Sequence, residues 1–261
     1  TSENFGTQGE YPSHPQLLDW LATEFVRLDW DMKALHRLIV TSATYRQSAS
    51  ASEELLEHDP ENRLLGRSPR LRLPAQVVRD QALFVSGALV EKIGGEPVKP
   101  YMPPKIWSAL SGKKYKQGQG DDLYRRSIYT YWLRTIPPPL MLAFDSADRE
   151  SCTVRKDKTN TPLQALTLMN NITFVESARL LAERMIREGG DDSVERLALG
   201  FRMVTSRRPS ARESKLLSDA LETFQAIYQQ DTAAANALLA IGEKKRDETL
   251  DAGEVAAYAM V

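Results

Sequence analysis

The helical hydrophobic period that runs through both ends of this chain disappears between Glu96 and Asp122. Pro97, Pro100, Pro103, Pro104, Gly112, Gly118 and Gly120 fall inside that interval. Proline removes a backbone donor and clashes with the preceding turn, and glycine loses the most entropy when ordered, so no long helix crosses it. A connection of this length inside a compact unit is functional or disordered. Tyr101, Trp107 and Tyr115 lie in it, and aromatics of that size argue for order. Downstream, Ser127–Leu133 is rich in β-branched and aromatic residues and reads as a short strand, closed by Pro137–Pro139. Along that strand, alternation puts Tyr129 and Tyr131 on one face and Ile128 and Trp132 on the other.

Both flanks read as helices. Ser13-His14-Pro15-Gln16 has the form of a capped start, followed by Leu17, Leu18, Leu21, Phe25 and Leu28 at helical spacing. Asp31 caps a second helix, and Pro74 opens a third that the Gly94–Gly95 pair ends. Beyond the centre, Thr161-Pro162-Leu163-Gln164 repeats the capping pattern, with Leu163, Leu166, Leu168 and Met169 as the apolar positions. Phe174, Ala178, Leu181 and Met185 line the next helix, which Gly189–Gly190 closes. Ser210 opens a long helix through Tyr228, and two shorter ones finish the chain. The fold expected is mainly α: an antiparallel helical bundle with an irregular central insertion that contains a short strand or hairpin. The expected division is N-terminal helices over 1–95, an aromatic and basic centre over 96–160, and a C-terminal bundle over 161–261, all within one domain.

The chain has 261 residues, 42% of them hydrophobic and 26% charged, enough for a core and a charged surface. No apolar run reaches the length of a membrane span. A net charge of −1 gives no general affinity for nucleic acid. The charge is uneven: residues 99–158 hold 12 Lys and Arg against 6 Asp and Glu. The single cysteine, Cys152, excludes an internal disulfide, a Cys-pair zinc site and a c-type haem attachment in this segment, and it reads as a buried, inert thiol. His14, His36 and His58 form no ligand pattern, so no metal is assigned. The absence of Met at the start and the apolar helical pattern at the end lead us to expect a piece of a longer polypeptide.

Two kinds of chemistry are conceivable in the centre. Asp145, Asp148 and Arg149 offer the carboxylates of a hydrolase, although aspartates in turns more often accept backbone N–H groups. The denser feature is aromatic and basic: Tyr101, Trp107, Tyr124, Arg125, Arg126, Tyr129, Tyr131, Arg134 and Arg155. Seven of the 13 Tyr and Trp residues lie here, and aromatic faces stack on sugar rings and cations. A local core that anchors the loop is the plainer reading of the same residues.

Several stretches resemble a known family: ENFGTQGEYPSHPQLLDWLA, KALHRLIVTSATYRQS, DPENRLLGRSPRLRLPAQVVRDQALFVSG, YMPPKIW, and the long DDLYRRSIYTYWLRTIPPPLMLAFDSADRESCTVRKDKTNTPLQALTLMNN. The family is the C-terminal domain of unknown function numbered fifteen-fifty-three, found in planctomycete-type cytochrome-associated proteins. The resemblance covers most of 4–208. It implies an exported, multidomain, cytochrome-linked polypeptide, with haem in an upstream domain only and no cofactor in this segment. It implies the upstream domains of the same polypeptide as partners, an association with polysaccharide, and an extracytoplasmic location. The family has no established catalytic residues. Pro103-Pro104-Lys105 stands where similar sequences often have Pro-Pro-Gly, and Lys156-Asp157-Lys158 stands where an arginine is common. The expectation is a binding or structural module; a hydrolase and a docking domain for the upstream domain are the alternatives.

Overall fold

The computed structural model describes residues 6–112, 114–133, 135–147 and 158–261. The chain divides into two compact units, Thr1–Arg72 and Leu73–Val261.

Among its described residues the first unit holds four helices, α1 (Pro15–Arg27), α2 (Met32–Thr41), α3 (Ala43–Arg46) and α4 (Glu53–His58). Pro15 takes the first position of α1 as expected, but Ser13 does not cap it. His14 is the cap residue, and the Ser13 hydroxyl bonds His14 Nδ1 at 3.0 Å instead. Asp31 caps α2 as expected, accepting from the Lys33 and Ala34 N–H groups at 2.8 and 3.0 Å. The turn between them is tight: Asp29 and Trp30 are left-handed, and the Trp30 ring meets Phe25 edge-on at 5.1 Å. Asp59 anchors the loop after α4 by accepting the Arg63 and Leu64 N–H groups at 2.7 and 2.8 Å. Those bonds, Leu64 first, hold its carboxyl below the ordinary value. None of these four helices buries a residue fully.

The second unit begins with α5 (Ala75–Val85) behind Pro74. It ends well before Gly94–Gly95, because Ser86 and the left-handed Gly87 let Ala88 and Leu89 both donate to Leu83 O. The short helices α6 (Ile106–Ser111) and α7 (Pro139–Ala143) punctuate the irregular centre. Then follow α8 (Pro162–Asn170), α9 (Ile172–Glu188), α10 (Ser193–Thr205), α11 (Ala211–Gln230), α12 (Thr232–Leu239) and α13 (Ala252–Met260). The capping boxes expected at Thr161 and Ser210 both form. The fold is thus mainly α, a helical bundle with an irregular centre.

The main core gathers around α13, where Val255, Ala256, Ala257 and Tyr258 are buried with Ala182, Met185, Leu197, Leu221, Ala235 and Leu239. Small residues set the spacing: a Cβ on Gly200 would stand 2.5 Å from Met185 Sδ. A second cluster joins α5, α7 and α9 through Ala75, Met141, Phe144 and Phe174. A third holds Leu83, Ala88, Leu123 and Tyr124. The last two seat the irregular centre on α5 and α9.

The expected strand is absent among the described residues. Ser127–Tyr129 is a turn of 3-10 helix, and pairing is limited to isolated bridges: Val90 with Arg125, Val98 with Thr130, and Leu133 with Ile136. Val98 takes the Tyr129 carbonyl at 2.8 Å and gives its own to Tyr131 at 2.7 Å. Pro97 lies next to it and Pro100 two residues on, and proline supplies no N–H, so the ladder cannot extend.

Candidate functional site

Two buried arginines hold the centre in place. Arg79 of α5 is 1% exposed and donates to Arg125 O at 2.8 Å, Leu123 O at 2.6 Å and the Ser127 hydroxyl at 3.3 Å. Burial pulls its guanidinium down to about 10, and Asp80 works the other way. Arg125 is 3% exposed and gathers the carbonyls of Lys92, Gly94 and Glu96, with the Tyr129 ring 3.9 Å from its guanidinium. The Tyr129 hydroxyl accepts the Gly94 N–H at 2.9 Å. Planar guanidinium groups with several donors can satisfy loop carbonyls that no helix or sheet uses.

A third arginine belongs to a row of buried charges on α9. Arg179 donates to Glu183 Oε1 at 2.7 Å and to Lys244 O at 2.6 Å, and lies 3.9 Å from Glu176 Oε1. Glu176 Oε1 accepts the Lys244 N–H and the Tyr124 hydroxyl, both at 2.8 Å. The Tyr124 hydroxyl lies 3.3 Å from that of Tyr101, which accepts the Glu243 N–H at 2.8 Å. The proton order follows: Tyr101 donates to Tyr124, and Tyr124 donates to Glu176. Burial pushes Tyr101 up to about 12 and Tyr124 higher still. The segment 242–247 is thereby latched onto α9. Gly242 is left-handed at φ 100°, and a Cβ there would stand 2.3 Å from the Glu176 carboxyl carbon.

This latch fixes one wall of a cavity of about 430 Å³ between the 100–115 loop, Pro138–Ala143 and α8. Its walls include Pro100, Tyr101, Tyr115, Leu140, Leu163 and Leu166. Both tyrosine hydroxyls are tied down, since Tyr115 donates to Pro100 O at 2.6 Å. The rings are therefore preset surfaces. Thr130 also lines the cavity, and its buried hydroxyl has no partner among the described residues. A larger cavity of about 640 Å³, lined by Phe174, Met185, Phe201, Leu217 and Tyr258, is apolar, and no lining residue carries a partnerless buried polar atom. It lies between α9, α10, α11 and α13.

The sequence candidates are distributed unevenly around this cavity. Tyr101 lines it, and Tyr124 stands behind Tyr101 at 3% exposure. Trp107, buried, meets the rings of Tyr115 and Tyr131 at 5.0 and 5.9 Å, with Lys99 Nζ 5.0 Å from the Tyr131 ring. Arg126 is exposed beside Asp80 at 3.6 Å. Tyr129 and Tyr131 do not share a face: the first sits with Arg125, the second with Trp107. Asp145 accepts the Thr159 N–H at 2.8 Å and its hydroxyl at 2.9 Å, and Gln164 Nε2 reaches it at 3.5 Å. Arg134, Asp148, Arg149, Cys152 and Arg155 lie outside the described residues. Among the described residues, no three His, Cys, Asp or Glu side chains converge as metal ligands, and no helix is long and apolar enough to cross a membrane.

Four participants escaped the sequence reading: Arg79, Thr130, Glu176 and Arg179. Glu176, Arg179 and Glu183 follow an i, i+3, i+7 spacing, which places them on one face of α9. That row was the available signal, although charges at such spacing ordinarily mark a solvated face. In α8 the inward position is Gln164, whereas Leu163, Leu166, Leu168 and Met169 are exposed.

The model of a family described as PSD1, protein of unknown function (DUF1553), matches residues 1–221. The chain belongs to the DUF1553 family. No curated protein and no solved structure matches it. Within this DUF1553 chain the cavity lies wholly inside the matched span. The latch at 242–247 lies outside it, yet closes on Glu176 and Arg179 inside it.

Proposed function

We propose that this DUF1553 chain is a non-catalytic binding module of an exported, cytochrome-linked polypeptide, and that it holds a saccharide in the cavity between Tyr101, Tyr115 and α8. Haem is assigned to an upstream domain of that polypeptide. The observation that carries the reading is the cavity itself: two aromatic walls fixed through their hydroxyls, and a buried Thr130 hydroxyl without a partner. Small-molecule sites are concave, mostly apolar and set with a few polar groups, and about 430 Å³ falls within their usual ~300–1,000 Å³ range. Binding is preferred over hydrolysis because Asp145 already accepts from Thr159 and Gln164. Affinity electrophoresis through gels cast with soluble polysaccharides tests it. The wild-type chain should be retarded by at least one polysaccharide, and Tyr115→Ala should migrate freely. Free migration of the folded wild-type chain through every gel would remove the saccharide.

A second role is favoured by the first unit. Leu18, Trp20, Val26 and Trp30 are between 47% and 63% exposed, and none of its helices buries a side chain. These large apolar side chains left open in one small unit are the candidate interaction surface, and the partner proposed is the upstream domain of the same polypeptide. Co-purification of the separately expressed upstream domain with this chain, lost on Trp20→Glu, tests it.

A further inference from the structure

We infer that the strap over 242–247 positions the Tyr101 wall of the cavity, and that Glu243 and Tyr124 are positioning residues for the ligand held there; this rests on the cavity being the saccharide site. Strap, Tyr101, Tyr124 and Glu176 close one hydrogen-bonded ring. The Glu243 N–H donates to the Tyr101 hydroxyl at 2.8 Å, Tyr101 donates to the Tyr124 hydroxyl at 3.3 Å, and Tyr124 donates to Glu176 Oε1 at 2.8 Å. The same Oε1 accepts the N–H of Lys244, the residue after Glu243, at 2.8 Å. A phenol has one proton to give. Tyr101 is thus held from two directions, with its ring against the cavity. Neither Tyr124 nor Glu243 lines that cavity.

The strap reads Gly-Glu-Lys-Lys-Arg-Asp and carries no apolar side chain. It forms neither helix nor strand, and residues 242–245 are exposed. Its other attachments are polar as well. Lys244 O accepts from Arg179 at 2.6 Å, the Asp247 N–H donates to Glu183 Oε1 at 3.3 Å, and Asp247 pairs with Arg187. The Glu243 carboxylate accepts the Gly120 N–H, which ties the strap to the 3-10 turn Gly120–Leu123 just before Tyr124. A segment held without buried apolar contacts belongs to the low-stability end of a fold and opens locally. Opening takes away the N–H that Tyr101 accepts. A freed Tyr101 must be ordered again when a ligand binds, and that entropy cost lowers affinity. By linkage, a ligand that fixes Tyr101 closes the strap by the same factor.

The test has one arm without ligand and one with it. In the first, amide hydrogen exchange is followed by NMR on the full chain. Tyr124→Phe keeps the ring and loses only the hydroxyl, and it touches neither strap amide through a hydrogen bond. It should speed exchange at both Glu243 and Lys244 by at least about fivefold. Unchanged exchange at these two amides overturns the ring as a unit. In the second arm, affinity electrophoresis uses gels cast with hydroxyethylcellulose, xylan, galactomannan or laminarin. Tyr124→Phe and Glu243→Ala should each weaken the retardation constant of the wild-type chain by at least about fivefold. Glu243→Gln, which keeps an acceptor for Gly120, should stay near wild type. Glu243 is exposed, so its variants keep the test open if Tyr124→Phe does not fold. Retardation that Tyr115→Ala abolishes, but that Tyr124→Phe and Glu243→Ala leave unchanged, keeps the saccharide site and removes the positioning role. Free migration of the folded wild-type chain through all four gels removes both.

Discussion

At the scale of single residues, the structure places side chains in conformations that only particular residues tolerate. Lys105 sits at φ 68°, left-handed, at the cap of α6. A non-glycine residue there costs about 1–2 kcal/mol. Lys105→Gly should therefore stabilise the chain by about 0.5–1 kcal/mol in urea unfolding, once the greater entropy loss of glycine is subtracted. Gly242 is the reverse case. Gly242→Ala meets the Glu176 carboxylate and a strained φ together, and should lower stability by ~1–3 kcal/mol in the same assay. The tyrosines make a pH prediction. Tyr101 is pushed to about 12 from its ordinary 10.0, with burial as the leading cause. The folded chain then holds that proton more tightly than the unfolded chain does. Its contribution is complete below pH 10 and is lost as pH rises from 10 toward 12. Tyr115 and Tyr124 are raised in the same direction by burial. Tm should be flat up to about pH 10 and fall above it, and the tyrosinate absorbance of these residues should emerge with unfolding rather than before it.

At the scale of elements, local chemistry was legible and distant partnership was not. Asp31, Thr161 and Ser210 cap the helices their sequence assigns to them, because the donor and acceptor lie within three residues. The Ser210 box is reinforced by Arg207, which grips Glu213 at 2.6 and 2.8 Å. Ser210→Ala should cost about 1 kcal/mol in chemical denaturation, read against the wild-type midpoint. Ser127–Leu133 has the composition of a strand but no partner that can pair with it, since Pro97 and Pro100 flank Val98, and no window of local sequence contains that fact. The inward charges of α9 failed for the same reason: their partners, Tyr124 and Lys244, lie far away along the chain. Gln164 turns inward because Asp145, Thr159 and the cap at Thr161 need it there, and the leucines of α8 are left exposed.

At the scale of the whole molecule, the aromatic and basic centre foreseen in the sequence divides into two populations. Arg125, with Arg79 of α5 reaching in from outside that centre, acts as a clamp that supplies donors to loop carbonyls. Tyr101 and Tyr115 are fixed as the walls of a cavity, with Tyr124 and Glu176 holding Tyr101 from behind. The sequence pointed to Tyr101 as a binding residue by its aromatic context alone. The cavity and the Thr130 hydroxyl needed the fold, because they join loop, proline triplet and α8. The most direct measurement of the central claim is backbone amide chemical-shift mapping of the full chain during titration with a saccharide that it binds. The account predicts shifts concentrated at Tyr101, Tyr115, Thr130, Leu166 and Asn170. Shifts confined to other surfaces, or a bound sugar that leaves these five residues unmoved, would contradict it.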